Sequence, residues 1–266
     1  MAFKLKKLVI HEECCYRKKL QPGIYDFLDA DAIDDFYAHN IEISAIVGKN
    51  GCGKSSLLEI IFRMVNNLSV YISHGITDTH EEDSVFITGL YSELFYTVNG
   101  LECQLICRDQ SLGLIYGDKK WAFGNQIDYF VDFDDGNNMS KGDKVTLCKN
   151  LFFTLVSNYS VQAYIDADYL NDTTCKIDVK GQLSDKPSDM PWIHYIFHKN
   201  DGYMSAINIS PYRYCGKLDM FREEQLERQR MQFLLLHFHK SNKDFIQGYS
   251  LSKIVFATSY YSVFCE

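Results

Sequence analysis

Proline is scarce in this chain, with 4 in 266 residues. No low-complexity linker or internal repeat accompanies it. A solenoid and a string of flexibly joined modules are thereby excluded. No run approaches the ~18 consecutive apolar residues that make a membrane-spanning helix. The opening residues, MAFKLKKLVI, carry lysines but run into HEECCYRKK, so neither a signal peptide nor a membrane partner is expected. Positive charge is in deficit. The formal net charge is -8 and the isoelectric point about 5.5. That balance is not the footprint of a free-standing nucleic-acid binder, although it leaves contact through one local patch open. The cysteines number 9, odd and scattered, with one inside a glycine-rich loop. This excludes a disulfide framework and fits a reduced, cytoplasmic protein. Metal motifs are missing as well. Cys103 and Cys107 have no second pair, and His194 and His198 lack the following glutamate of a zinc peptidase.

What is present is enough apolar residue to build a core: 46% hydrophobic against 23% charged. The informative stretch begins at residue 41. IEISAIV (41–47) is a short, β-branched apolar run, the pattern of a buried strand. Gly48-Lys49-Asn50-Gly51-Cys52-Gly53-Lys54-Ser55 follows and fills every fixed position of G-x-x-x-x-G-K-[ST]. After Ser56, Leu57, Ile61, Met64, Val65 and Leu68 recur at helical spacing. Strand, glycine loop and helix form a phosphate cradle for physical reasons. Glycines let successive backbone N–H groups turn inward without a Cβ clash. The helix N-terminus adds unpaired donors and the positive end of its dipole. Lys54 is expected on the β- and γ-phosphates of ATP, Ser55 on Mg²⁺, and Ser56 on the α-phosphate.

The form GKNGCGKSS is narrower than the general motif. It resembles the version used by ABC-type ATPases, including the SMC/RecF-like and OLD-like groups. Three further blocks, LFFTLVSNYSVQAY (151–164), PWIHYIFHKNDGYMSAINISPYR (191–213) and REEQLERQRMQFLLL (222–236), resemble a bacterial family of AAA-labelled, ABC-type ATPases often encoded in defence loci. The resemblance implies an α/β P-loop core with a mixed sheet, an antiparallel side sheet and a helical appendage. It also implies ATP and Mg²⁺ as ligands, a head-to-tail homodimer around ATP, and an effector partner such as a nuclease. An aromatic residue ahead of the P-loop stacks adenine in many such heads; Tyr25 is placed for it, with Tyr16 and Tyr37 competing.

Residues 84–123 alternate aromatic or branched residues with turn signals at Gly100, Gly113 and Gly117, as an antiparallel sheet would. NLFFTLVSNYS (150–160) reads as a central strand leading to Gln162, a candidate for the glutamine that senses Mg²⁺ and the γ-phosphate in ABC-type ATPases. Residues 191–213 read as a short helix, a turn and an extended piece up to Pro211, and a helix is expected from about 221. A nucleotide-binding lobe over 1–165 and a helical or mixed appendage over 166–266 follow from this reading.

Two catalytic elements of such a head are not found in the sequence. Residues 57–266 contain no Leu-Ser-x-Gly-[Gly/Glu] signature. The nearest approach to a Walker B strand is IDYFVDFDDG (127–136), where Asp132 or Asp134 is a candidate Mg²⁺ carboxylate, but it precedes the glutamine block. Hydrolysis needs a polarised water and charge neutralisation beyond what a P-loop supplies. The expectation is an incomplete ABC-type head, the N-terminal part of a longer or split ATPase, which binds MgATP and turns it over poorly by itself. The alternative is a nucleotide-binding regulatory module with no hydrolysis of its own.

Overall fold

The computed structural model describes residues 3–28, 43–73, 85–151, 154–157, 164, 166–177, 182–187, 191–195, 207–210, 228–229, 231–237 and 240. The chain divides into two compact units, Met1–Pro211 and Tyr212–Glu266.

The first unit is built on hairpins. Strands β1 (Phe3–Ile10), β2 (Gly23–Asp26), β4 (Tyr91–Val98), β5 (Leu101–Arg108), β6 (Ser111–Tyr116), β7 (Lys119–Gly124) and β8 (Asp134–Asp135) form a seven-stranded sheet in the order β2-β1-β4-β5-β6-β7-β8. All its pairs are antiparallel except β7 with β8. Asn99 and Gly100 both take left-handed φ, 52° and 80°. That is the Asn-Gly signature of a two-residue hairpin whose twist suits the strands. β3 (Val85–Ile87), β10 (Thr174–Ile177) and β11 (Leu183–Pro187) make a separate antiparallel sheet, and β9 (Thr154–Ser157) pairs in parallel with β12 (Ile207–Ser210). The fold is therefore α/β with a mixed sheet and an antiparallel side sheet, as the sequence implies. The balance differs: among the described residues the antiparallel meander is the largest sheet, and the β9–β12 parallel pair is the smallest.

Side chains alternate along β4 and β5, and the buried set includes Leu94, Tyr96, Val98, Cys103, Leu105 and Cys107. Cys103 and Cys107 thus serve as small inward-facing apolar groups. Burial pushes both thiols up, Cys103 to about 11. Helix α1 (Lys54–Ser73) packs on β3, β4, β5 and helix α2 (Lys141–Asn150). Its sequence periodicity gives one apolar face, yet α1 is buried nearly all round from Ile60 to Ile72, including Arg63, Asn66 and Asn67. The polar members are satisfied. Asn67 Nδ2 donates to the Ile87 carbonyl at 2.7 Å, and its Oδ1 accepts from the Ile87 N–H at 2.8 Å. Asn66 donates to the Val85 carbonyl. The two amides pin α1 to β3 as an extra strand would.

Gly113 is not a turn. It lies inside β6, and a Cβ there would come within 2.5 Å of the Phe130 ring, so the glycine lets that ring lie on the strand. The actual β5–β6 turn uses Asp109, with φ 52°, which tolerates the left-handed region better than a branched residue would. The apolar run before the glycine loop is not a buried strand over its described part. Residues 43–49 have no regular structure, and Ile43 and Val47 are 62% and 89% exposed. Strand identity needs a hydrogen-bonding neighbour, and none lies alongside among the described residues. Helix α3 (Trp192–Tyr195) is a single turn. His194 lies in it, and His198 lies outside the described residues.

In the second unit, the described residues 228–229, 231–237 and 240 are helical, in keeping with the expected late helix. Met231, Phe233, Leu234 and Leu236 are exposed on it, and Phe233 stacks on His237 one turn later. Among the described residues no helix is long and apolar enough to cross a membrane.

Asn67→Leu removes both partners of the Ile87 peptide groups while keeping the volume. Each buried backbone group left unpaired costs about 1–3 kcal/mol. Urea unfolding of the variant should therefore show a loss of roughly 2–4 kcal/mol.

Candidate functional site

The glycine loop folds around its own lysine. Gly51 and Gly53 take φ of 78° and 100°, values an L side chain rarely adopts. A Cβ on Gly53 would also meet Leu20 at 2.7 Å. Lys54 opens α1, and its ammonium donates to the Gly48 carbonyl at 2.7 Å and the Lys49 carbonyl at 2.9 Å. The loop is thus curled with its carbonyls on the ammonium. Its N–H groups at the start of α1 are among those a helix leaves without a partner. Cys52 N–H donates to the Lys49 carbonyl and Leu57 N–H to the Gly53 carbonyl. The Ser55 side chain is exposed and Ser56 is buried at the first turn.

This donor set fits a phosphate chain. The glycines leave a cradle that a Cβ would fill, the helix end carries partial positive charge, and one ammonium sits beside it. Gly48, Lys49, Asn50, Gly51, Cys52, Gly53, Lys54, Ser55 and Ser56 are the residues that could hold ATP, with the Ser55 hydroxyl available to Mg²⁺.

A second segment reaches this loop, and the motif gives no hint of it. Residues 16–20, YRKKL, turn over the glycines. Leu20 sits against Gly53, and the Lys19 ammonium lies 3.7 Å from where a Gly51 Cβ would stand. Lys18 takes φ 52° and pairs with Glu59 of α1 at 2.8 Å. Lys19 therefore brings a second cation to the mouth of the cradle. The only signal in the sequence is three consecutive basic residues in an acidic chain, at a distance of about 30 residues from the loop they serve.

Tyr16 belongs to the core. Its hydroxyl donates to the Thr88 carbonyl at 2.7 Å, its ring lies 4.5 Å from the Arg63 guanidinium, and burial raises its phenol far above the ordinary value. It is not available to stack adenine. Tyr25 is half-buried on β2 and donates to the Gln21 carbonyl. Tyr37 and Gln162 lie outside the described residues. Asp132 is exposed with φ 66°, on the segment whose Phe130 rests on Gly113, and Asp134 and Asp135 form β8 beside β7. Among the described residues none of these three aspartates hydrogen-bonds or ion-pairs with Gly48–Ser56. No group of three or more metal-ligating side chains occurs among the described residues.

Residues 34–102, about a quarter of the chain, match the family model of the ABC transporter. The matched span holds the glycine loop, α1 and the β3–β4 stretch, and it supports an ABC-type, ATP-binding P-loop in this chain. Neither the curated proteins nor the solved structures contain a match.

Cys52 gives a direct readout of occupancy. It is an exposed free thiol inside the loop, and Cys148 is exposed on α2. Maleimide labelling followed by peptide mass spectrometry should show Cys52 protected by MgATP and Cys148 unchanged; equal labelling of Cys52 with and without nucleotide would contradict ATP in this cradle. Lys19→Ala should weaken ATP binding about tenfold, the scale of one hydrogen bond to a charged group, in a calorimetric titration.

Proposed function

We propose that this chain is an ATP-driven head of ABC type, which binds MgATP on Gly48–Ser56, pairs with a second copy when nucleotide is bound, and uses that pairing to act on a partner such as a nuclease. The observation that carries the reading is the GKNGCGKSS loop curled on Lys54 at the start of α1, inside a span that matches an ABC-type family model. The backbone amides around Gly51 and Gly53 bind the phosphates. Lys54 exchanges its carbonyl partners for phosphate oxygens and neutralises their charge. The Ser55 hydroxyl takes the metal, and the 16–20 turn closes one side with Lys19. Bound MgATP supplies the phosphoanhydride bond whose cleavage resets such a head.

A second reading, a regulatory module that binds ATP without cleaving it, is favoured by one specific fact. The sequence carries neither the Leu-Ser-x-Gly signature nor a Walker B strand after α1. High turnover separates the two readings. Hydrolysis above ~1 s⁻¹ by the purified chain, within the usual enzyme range, would refute the non-hydrolysing module. It would make Asp132→Asn and Gln162→Ala the next variants to assay.

Thermal unfolding with and without MgATP tests the shared premise. A ligand at 100 times its Kd adds about 2.7 kcal/mol, a rise in Tm of roughly 5–10 °C for a protein of this size. Wild type should show the rise and Lys54→Ala should not, with an unchanged Tm in the absence of nucleotide. Light scattering on the same samples should show mass doubling with MgATP in wild type alone.

A further inference from the structure

The seven-stranded sheet has a second face. α1 covers the face that carries Leu94, Leu105 and Cys107, and the opposite face of β4 and β5 presents Tyr91, Glu93, Ile106 and Arg108. Segment 126–133 crosses that outer face and closes a pocket of about 520 Å³ against it, within the size range of small-molecule sites. The segment is held by Phe130, whose ring occupies the space that Gly113 leaves empty. Its wall is aromatic: Tyr129, Phe130 and Phe133 from the crossing segment face Tyr91 from β4.

The charges in the pocket do not cancel. Arg108 Nη2 donates to Glu93 Oε1 at 2.8 Å, and His11 and Gln104 complete the shell of the same carboxylate. Arg108 and Glu93 neutralise one another. The charge left over is Asp109. One of its oxygens accepts the Gly89 N–H at 2.8 Å, and among the described residues no cation pairs with it. Its carboxylate sits close enough to Tyr91 to help burial raise that phenol. Gln126, an exposed neutral residue with an acceptor oxygen, also lines the pocket. Aromatic faces attract cations through their quadrupole, and Lys120, which does not line the pocket, lies 5.9 Å from the centre of the Phe133 ring. A planar cation fits this combination best, since a guanidinium stacks on rings and donates in a fork to a carboxylate.

We infer that the pocket between the outer sheet face and segment 126–133 binds a guanidinium group, with Asp109 taking its charge and the aromatic wall of Tyr129, Phe130 and Phe133 packing around it. The site stands apart from the phosphate cradle in residues and in ligand chemistry.

Isothermal titration of the full chain with phenylguanidinium and with phenylurea tests it, because the two probes share shape and differ in charge. Wild type should bind phenylguanidinium at least tenfold tighter than phenylurea. Asp109→Asn should erase that preference. The variant keeps an oxygen for the Gly89 N–H and tolerates the left-handed φ, so it folds as wild type does. Tyr129→Ala should weaken both probes by threefold or more; Tyr129 is 71% exposed, so its truncation removes no core contact. Gly-Arg-Gly titrated in parallel separates the sources of the group. Binding tighter than phenylguanidinium assigns the pocket to an arginine side chain and weaker binding to a free guanidinium, and both support recognition of the group. Equal affinity for phenylurea, a preference that survives Asp109→Asn, or no saturable binding of either probe would overturn the proposal.

Discussion

The placement of the nucleotide loop depends on one buried cation nine residues further along its helix. Arg63 is 1% exposed. Its guanidinium meets Asp172 at 2.8 Å and the Glu59 carboxylate at 3.5 Å, with the Tyr16 ring at 4.5 Å and those of Tyr169 and Trp192 at 5.4 Å. The Trp192 indole N–H donates to the same Asp172 oxygen. Four separate parts of the chain, the 16–20 turn, α1, the 169–172 turn and α3, thus converge on one side chain. Burying such a pair gains little net energy, because desolvation offsets the attraction. Burial indeed pushes the Asp172 carboxyl up, although Arg63 and Trp192 pull it down. What the pair provides is position. With one partner removed, the other is left charged and dry, so no alternative packing of these four segments competes. Lys19 and Leu20 reach the glycine loop because Tyr16 is fixed there by Arg63 and by the Thr88 carbonyl.

The same convergence separates what can be read from residues alone from what cannot. GKNGCGKSS is legible because backbone geometry dictates glycine, and the Gly51 and Gly53 dihedrals require it. The Asn99-Gly100 hairpin and the alternation along β4 and β5 are legible for the same local reason. Arg63, Asn66 and Asn67 are not. Three polar residues within five positions of an apolar helix read as the solvent side, yet each finds a specific partner more than 15 residues away, and only the tertiary fold supplies it. Gly113 misleads in the opposite direction. A glycine between strand-like runs reads as a turn, but its missing Cβ is used by a ring 17 residues later. The 43–47 run shows the limit of pattern reading. Its composition is that of a central strand, but a strand exists only with a neighbour, and composition does not show whether one is present.

A period-two sheet has two faces, and this one uses both. The inner face is dry and takes α1; it can hold no ligand without displacing the helix. The outer face keeps its polar residues because Glu93 gathers Arg108, Gln104 and His11 into one satisfied cluster. That cluster lets a polar floor lie under an aromatic wall without the cost of an unpaired buried charge. It also leaves Asp109, at the strand end, as the group with charge to offer.

Residues 11–20 connect the two sites. His11 bonds to Glu93 in the floor of the pocket, Cys15 N–H donates to the Gly89 carbonyl, Tyr16 is tied to Thr88, and Leu20 meets Gly53. Contact alone does not make such a path allosteric. A ligand shifts an equilibrium only by its differential affinity for two arrangements. Here the middle of the path is held from two sides: a core tyrosine bonded to a backbone carbonyl and packed on a paired guanidinium. A second arrangement of this loop would have to break that bond and strand Arg63 against fewer rings. The anchoring that orients Lys19 toward the glycine loop therefore also insulates the cradle from the pocket, and the physical expectation is two sites in one unit that fill independently.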